Sequence, residues 1–188
     1  MRSQKTRDQI VAAADSLFYR RGFDHTSFAD IAEAVDISRG NFYYHYKSKD
    51  EILGAVIDFR RAHIDAMLAQ WERAGTTPAE RIRSFIRIVI TNQASIERYG
   101  CPVGSLCGEL AKLGHPLHER AGELFTAFRT WLRRQFTLLG RESDADALAM
   151  HVLARSQGIA ALSNAFHDDA FVKYEVRQLE AWLDGLEQ

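Results

Sequence analysis

The stretch from Thr26 to Leu53, TSFADIAEAVDISRGNFYYHYKSKDEIL, constrains this chain more than any other part of it, because it prescribes two short helices, a tight turn and the start of a third helix. Phe28, Ile31, Ala32 and Val35 recur at helical spacing, so one face of the first short helix is apolar and must pack inward. Ser27 followed by Asp30 reads as a capping box, placing a hydroxyl and a carboxylate where the first backbone N–H groups lack helical partners. Asp36 falls where the chain must turn, and Asp is one of the few residues besides Gly that enter the left-handed region at modest cost. Ser38 then caps a second helix, Arg39 to His45, which carries Phe42 inward and leaves Arg39, Asn41, Tyr44 and His45 mostly pointing out. A solvated surface helix rarely carries two tyrosines and a histidine in so few residues. Ser48 with Glu51 reads as a second capping box, from which a long helix departs through Ile52, Leu53, Val56 and Ile57. Two short helices joined this way form a helix-turn-helix, whose second helix reads the DNA major groove.

The run Gly40-Asn41-Phe42-Tyr43-Tyr44-His45-Tyr46-Lys47-Ser48-Lys49 resembles the signature of the TetR/AcrR family of bacterial transcriptional regulators, usually Gly-Thr-Leu-Tyr-x-x-Phe-x-x-Lys. Three positions depart from the family pattern. Asp36 stands where Gly is usual, and Asn41 and Tyr46 replace Thr and Phe; the Asn-x-Tyr-Tyr-His form is similar to a branch that includes multidrug-responsive repressors. The resemblance implies an all-α chain, with a three-helix DNA-binding domain over residues 1–47 and a helical effector-binding and dimerisation domain over 48–188. It implies that Tyr43 and Lys49 contact phosphates, with Ser27, Ser38 and Gly40 on the same DNA-facing surface, while Arg39, Asn41, Tyr44 and His45 reach toward base edges. The implied partners are a palindromic double-stranded operator, a second copy of the chain, and a small-molecule inducer that the sequence does not identify.

Composition is compatible with this reading. With 188 residues, 46% of them hydrophobic, the chain can bury a substantial core, and three prolines and twelve glycines leave room for long helices. No apolar run approaches the roughly 18 residues needed to span a bilayer, and Asp8 and Asp15 interrupt the N-terminal apolar pattern, so neither a membrane anchor nor a signal peptide is expected and the chain reads as cytoplasmic. Residues 1–49 carry a net charge of +2 and the remainder −3. A mildly basic head on an acidic body suits docking of the head on phosphates.

Beyond the helix-turn-helix, periodicity predicts a first helix over 4–21 closed by Gly22, the long helix from Ser48 to about Glu72, and one further helix from Ile82 through Phe85, Val89 and Ile96 to Tyr99. A short helix opens at Pro102, a long one at Pro116, and two last helices span about 143–167 and 170–186. The resemblance implies that these two pack against their copies in a second subunit. Leu148, Val152, Leu153, Ile159, Ala160, Ala161 and Leu162, then Phe171, Leu179, Trp182, Leu183 and Leu186, offer more apolar surface than one hairpin can bury. Family architecture also implies an effector cavity, lined by some of Met67, Trp71, Phe85, Val89, Cys107, Leu110, Phe125, Phe128, Trp131, His151 and Arg155. Each of these side chains is also a plausible core residue. His151 and Arg155 stand out, since one turn apart on an apolar helix they could meet a ligand's carboxylate or carbonyl, or else form a satisfied polar cluster near the dimer seam.

Cys101 lies between Gly100 and Pro102, and Pro favours the first helical position, so Cys101 is expected at the N-cap of the short helix. Helix dipole and free N–H groups there favour a thiolate and make Cys101 a redox candidate; GCPVGSLCGELA is similar to a Gly-Cys pattern in family members that respond to electrophiles or oxidants. Cys107 is six residues on, roughly 9 Å along the axis, beyond the ~7 Å reach of a disulfide. An enzyme would have to pair Cys101 or Cys107 with His115 or His118, without any orienting group at recognisable spacing. A metal site from Cys107, His115 and His118 would have a spacing unlike common zinc sites. Neither a catalytic centre, a metal nor a cofactor is therefore expected; the alternatives are a DNA-binding regulator that takes no ligand and, behind it, a Cys/His-dependent enzyme.

Overall fold

A computed structural model describes residues 2–187, with the side chains of Arg2, Ser3 and Arg39 outside the described set. The described chain is all-helical, without a strand: α1 (Arg2–Arg21), α2 (Phe28–Ala34), α3 (Arg39–His45), α4 (Lys49–Ala74), α5 (Pro78–Ile86), α6 (Ile88–Thr91), α7 (Gln93–Tyr99), α8 (Pro102–Lys112), α9 (His118–Leu138), α10 (Ala145–Phe166) and α11 (Asp169–Asp184). They fall into two compact units, one of residues up to 63 together with 105–124, the other of 64–104 together with 125 onward.

In the first unit the local chemistry dictates each boundary. Gly22 closes α1 with φ +91°, a conformation that a residue with a Cβ strongly resists. Ser27 caps α2 through the full reciprocal box with Asp30, and Asp36 takes the left-handed turn at φ 52°. Ser38 caps α3 by accepting the Asn41 N–H. The box at α4 is a variant of the expected one: Ser48 Oγ accepts the Glu51 N–H at 3.1 Å, while the Glu51 carboxylate reaches back to the Lys47 N–H at 2.7 Å. Ile10, Ala14, Phe18, Phe23, Ile31, Phe42, Tyr46, Ile52, Leu53 and Val56 are buried, each large side chain contributing about 1.5–3 kcal/mol. Arg60, almost fully buried, donates from Nε to Asp15 Oδ1 at 2.6 Å and ties α4 to α1.

In the second unit the single helix expected from Ile82 to Tyr99 is three. The backbone leaves the α-ladder at Arg87 (ψ −6°) and at Asn92 (φ −107°, ψ 16°). Ile88-Val89-Ile90-Thr91 is a run of four β-branched residues, stiff at χ1 and poor helix formers. Thr91 Oγ1 and Asn92 Nδ2 also bond back to the carbonyls of Arg87 and Ile88, competing with the ladder. Thr77 and Glu80 form a capping box for α5 with Pro78 at its first turn. Helix α9 begins at His118, two residues after Pro116, because a turn bonded from His118 N–H to His115 O occupies the intervening residues. Helix α10 packs on α7 and α11, and α11 on α5, burying Ile82, Phe85, Val89, Val152, Ile159, Val176 and Leu183.

Candidate nucleic-acid interface and effector region

Helices α2 and α3 are locked by an aromatic corner: Phe28 meets Phe42 edge-on at 5.1 Å and stacks on Tyr43 at 5.5 Å. Phe42 is the inward anchor at 1% exposure, which turns the opposite face of α3 outward. That face presents Asn41, Tyr43 at 49% and Tyr44 at 72% exposure. Gly40 is exposed, with nothing within 4 Å of where a Cβ would stand, so the backbone there is open to close approach. Ser27 and Ser38 are exposed and serve as helix caps. The Arg39 side chain, expected to reach base edges, lies outside the described residues. His45 corrects the sequence reading: it is 9% exposed, its ring edge-on to Tyr44 at 5.2 Å, and does not point out with the others. At the end of a seven-residue helix, with Phe42 inward one turn earlier, residue 45 follows it onto the buried side.

Lys49 is turned toward the segment between α1 and α2. Its Nζ donates to the carbonyls of Phe23 at 3.0 Å and Asp24 at 3.4 Å and sits 4.2 Å over the Phe23 ring. Lys47, which sequence reasoning passed over, is exposed beside α3 and bonds the Tyr43 carbonyl. Arg7 of α1 donates to the His45 carbonyl at 3.4 Å and lies 4.5 Å over the Tyr46 ring. Two groups here titrate away from their ordinary values. The Ser27 hydroxyl and N–H hold the Asp30 carboxyl below the usual range, and burial raises the Tyr46 phenol.

In the second unit Trp71, Phe85, Phe128 and Trp131 form a continuous aromatic cluster, with centroids 6.3 Å apart for Trp71–Phe85, 5.7 Å for Trp71–Trp131 and 5.4 Å for Phe85–Phe128. Trp131 Nε1 donates to Glu72, which also receives Arg134. Val89 is buried and Phe125 half-buried in the same unit, whereas Cys107 falls in the first unit. His151 and Arg155 belong with α11: the His151 ring lies 4.6 Å from Trp182, and Arg155 is ion-paired with Glu175.

Along α10, Met150, Ala154, Gly158, Ala161, Leu162 and Phe166 are exposed on one face, Leu162 at 42% and Phe166 at 71%. Of the residues singled out as an apolar seam, Val152, Leu153, Ile159, Ala160, Leu179 and Leu183 are buried within the chain, Ala161 and Leu162 are exposed, and Leu148, Phe171, Trp182 and Leu186 are half-buried. Cys101 precedes Pro102 as expected, its Sγ accepting the Gly104 N–H at 3.4 Å, and it is half-buried. Cys107 is also half-buried, and no disulfide joins the two. Among the described residues no cluster of His, Cys, Asp and Glu could hold a metal ion, and no helix is long and apolar enough to cross a membrane.

Comparison with known proteins gives a consistent picture. Residues 10–56 match the sequence profile of "Bacterial regulatory proteins, tetR family", and residues 78–174 that of "Transcriptional regulator LmrA/YxaF-like, C-terminal domain". An uncharacterised HTH-type transcriptional regulator of Lactococcus lactis is 27% identical over 173 residues, 88% of this chain and 86% of its own. The HTH-type transcriptional repressor DhaR of a Mycobacterium species is 24% identical over 81% of this chain and 79% of its own. A TetR-family regulator from Streptomyces coelicolor superposes with a TM-score of 0.85 at 18% identity, covering 98% of this chain and 97% of that one.

Proposed function

The chain belongs to the TetR family of bacterial transcriptional regulators, and from that premise we propose that it is a homodimeric repressor that binds a palindromic operator and is released by a small ligand or a reactive electrophile. The observation that carries the DNA-binding part is the exposed face of α3, where Tyr43 and Tyr44 stand out from a helix anchored by Phe42. Residues 1–47 act as the DNA-binding domain and 48–188 as the effector-binding and dimerisation domain. Tyr44, Asn41 and Arg39 read base edges, while Tyr43, Ser27, Ser38 and the backbone at Gly40 meet phosphates. Lys49 reaches phosphate through the one donor of its ammonium left after the bonds to Phe23 and Asp24.

The dimer forms through α10 and α11. An apolar face exposed from Met150 to Phe166 is costly to leave in water and suits a copy of itself. Small residues at Ala154, Gly158 and Ala161 let two such helices approach closely. The inducer enters the region of the Trp71–Phe85–Phe128–Trp131 cluster. An electrophile would act instead at Cys101, half-buried at the start of α8, whose Sγ accepts the Gly104 N–H. The relatives are regulators, which agrees with a role in cytoplasmic gene control rather than catalysis.

The test is selection of duplexes from a random pool, followed by anisotropy titration. Tyr44→Ala should relax base preference at particular positions, and Tyr43→Phe should weaken selected and scrambled duplexes alike. Equal, sequence-independent losses for both variants would overturn the assignment.

A further inference from the structure

The turn between α1 and α2 is held by two side chains of opposite charge from elsewhere in the first unit. Glu109, on α8, accepts the Phe23 N–H on Oε2 and the Asp24 N–H on Oε1, both at 2.9 Å. On the other side of the same two peptides, Lys49 donates to the Phe23 and Asp24 carbonyls. The backbone is thus gripped at both polar edges, by charged partners that make stronger hydrogen bonds than neutral ones. Gly22 suits this turn through its φ of +91°, and a Cβ there would stand 2.9 Å from Glu109 Oε1 and displace that carboxylate. The grip continues around the turn. Phe23, buried, is met edge-on by Phe18 at 5.3 Å and by His115 at 5.1 Å. Thr26, fully buried, donates from its hydroxyl to the Gly22 carbonyl at 2.7 Å. The next residue is Ser27, the N-cap of α2.

We infer that Glu109 is a positioning residue for DNA reading: from outside the helix-turn-helix it fixes the turn that sets where α2 starts, and through α2 the aim of α3. Its two hydrogen bonds go to the backbone of the turn, and nothing in the helix-turn-helix signature points to it. The inference rests on the DNA-binding reading above.

The test is Glu109→Gln in the full chain, which keeps size but replaces one acceptor with an NH2 group that cannot receive the second N–H. Amide exchange followed by NMR should show Phe23 and Asp24 exchanging at least about tenfold faster, with Ile52 and Leu53 unchanged, since an N–H loses protection when its acceptor is removed. Affinity for a duplex selected by the parent protein should fall about tenfold or more, whereas affinity for a scrambled duplex and the salt slope should stay the same, because no phosphate contact is lost. A loss of helical signal would move the comparison to Glu109→Asp, whose shorter side chain cannot span both N–H groups; the same pattern is expected there. Unchanged affinity for the selected duplex despite faster exchange overturns the positioning role, as do equal losses on both duplexes. Failure of the parent to select any duplex overturns the DNA-binding reading and this role with it.

Discussion

Replacing Ser27 by Ala removes one atom from the start of α2, and the structure gives the consequence in detail. Ser27 Oγ accepts the Asp30 N–H at 3.2 Å and donates to Asp30 Oδ2 at 2.5 Å, while the Ser27 N–H donates to the same oxygen at 2.7 Å. The substitution deletes the first two bonds and keeps the third. Water can replace the lost partners at this exposed position, so the expected cost is that of an ordinary N-cap, about 1 kcal/mol, or a Tm fall of about 2–4 °C for a chain of this size. A helix of seven residues cannot hold itself without its cap and packing, so the loss should appear as faster amide exchange across α2. The Ser27 hydroxyl is also the largest cause of the lowered Asp30 pKa. In Ser27→Ala the Asp30 carboxyl should therefore titrate higher, toward the ordinary carboxylate range. The sign follows: a carboxyl depressed in the folded state stabilises fully above its unfolded pKa and loses that contribution as pH falls through the folded value. The parent should accordingly keep α2 protected to lower pH than the variant, and Ser27→Thr should behave as the parent. Equal Tm values together with an unmoved Asp30 titration in Ser27→Ala would refute the reasoning.

Other perturbations have equally definite outcomes. Asp15→Ala takes the Asp15 carboxylate from the almost fully buried Arg60 guanidinium and should cost about 2–3 kcal/mol in thermal unfolding; Asp15→Ala with Arg60→Met should recover part of that loss. Leu162→Glu places a charge on the exposed face of α10 and should convert a dimer to monomers in light scattering, with little change in Tm if the face is free within each chain. Cys101→Ser should abolish release from DNA by N-ethylmaleimide while leaving DNA affinity itself unchanged; release identical to the parent's would remove Cys101 from the switch.

The sequence carried the helix-turn-helix nearly whole, because every boundary there is written by a local rule. Ser27 with Asp30, Ser38, and the Asp36 turn each need only a few consecutive residues to be recognised, and each appears as expected. The N-cap position of Cys101 was legible for the same reason, from Gly100 and Pro102 alone. The division of one expected helix into α5, α6 and α7 was not, since apolar periodicity continues through Ile88–Thr91 while β-branching and side-chain back-bonding break the ladder. The threonine and glutamate that cap α5 were nonetheless there to be read. His45 was misplaced because a polar ring at the end of a short helix follows its buried neighbours. Glu109 lies 85 or more residues from the N–H groups it holds, a contact that no pattern in either segment encodes. For His151 and Arg155 the sequence left a ligand-facing role and a polar cluster both open, because their neighbours, Trp182 and Glu175, stand on a different helix.

The proposed pairing of two linked heads on one symmetric site is measured directly by native mass spectrometry of the protein on its selected duplex. It predicts an inverted repeat whose half-sites lie one helical turn or a multiple of about 34 Å apart, carrying two 21.3 kDa chains or a multiple of two per duplex, and loss of that complex in Leu162→Glu. A single 21.3 kDa chain bound to an asymmetric site, with Leu162→Glu binding as the parent does, would contradict it.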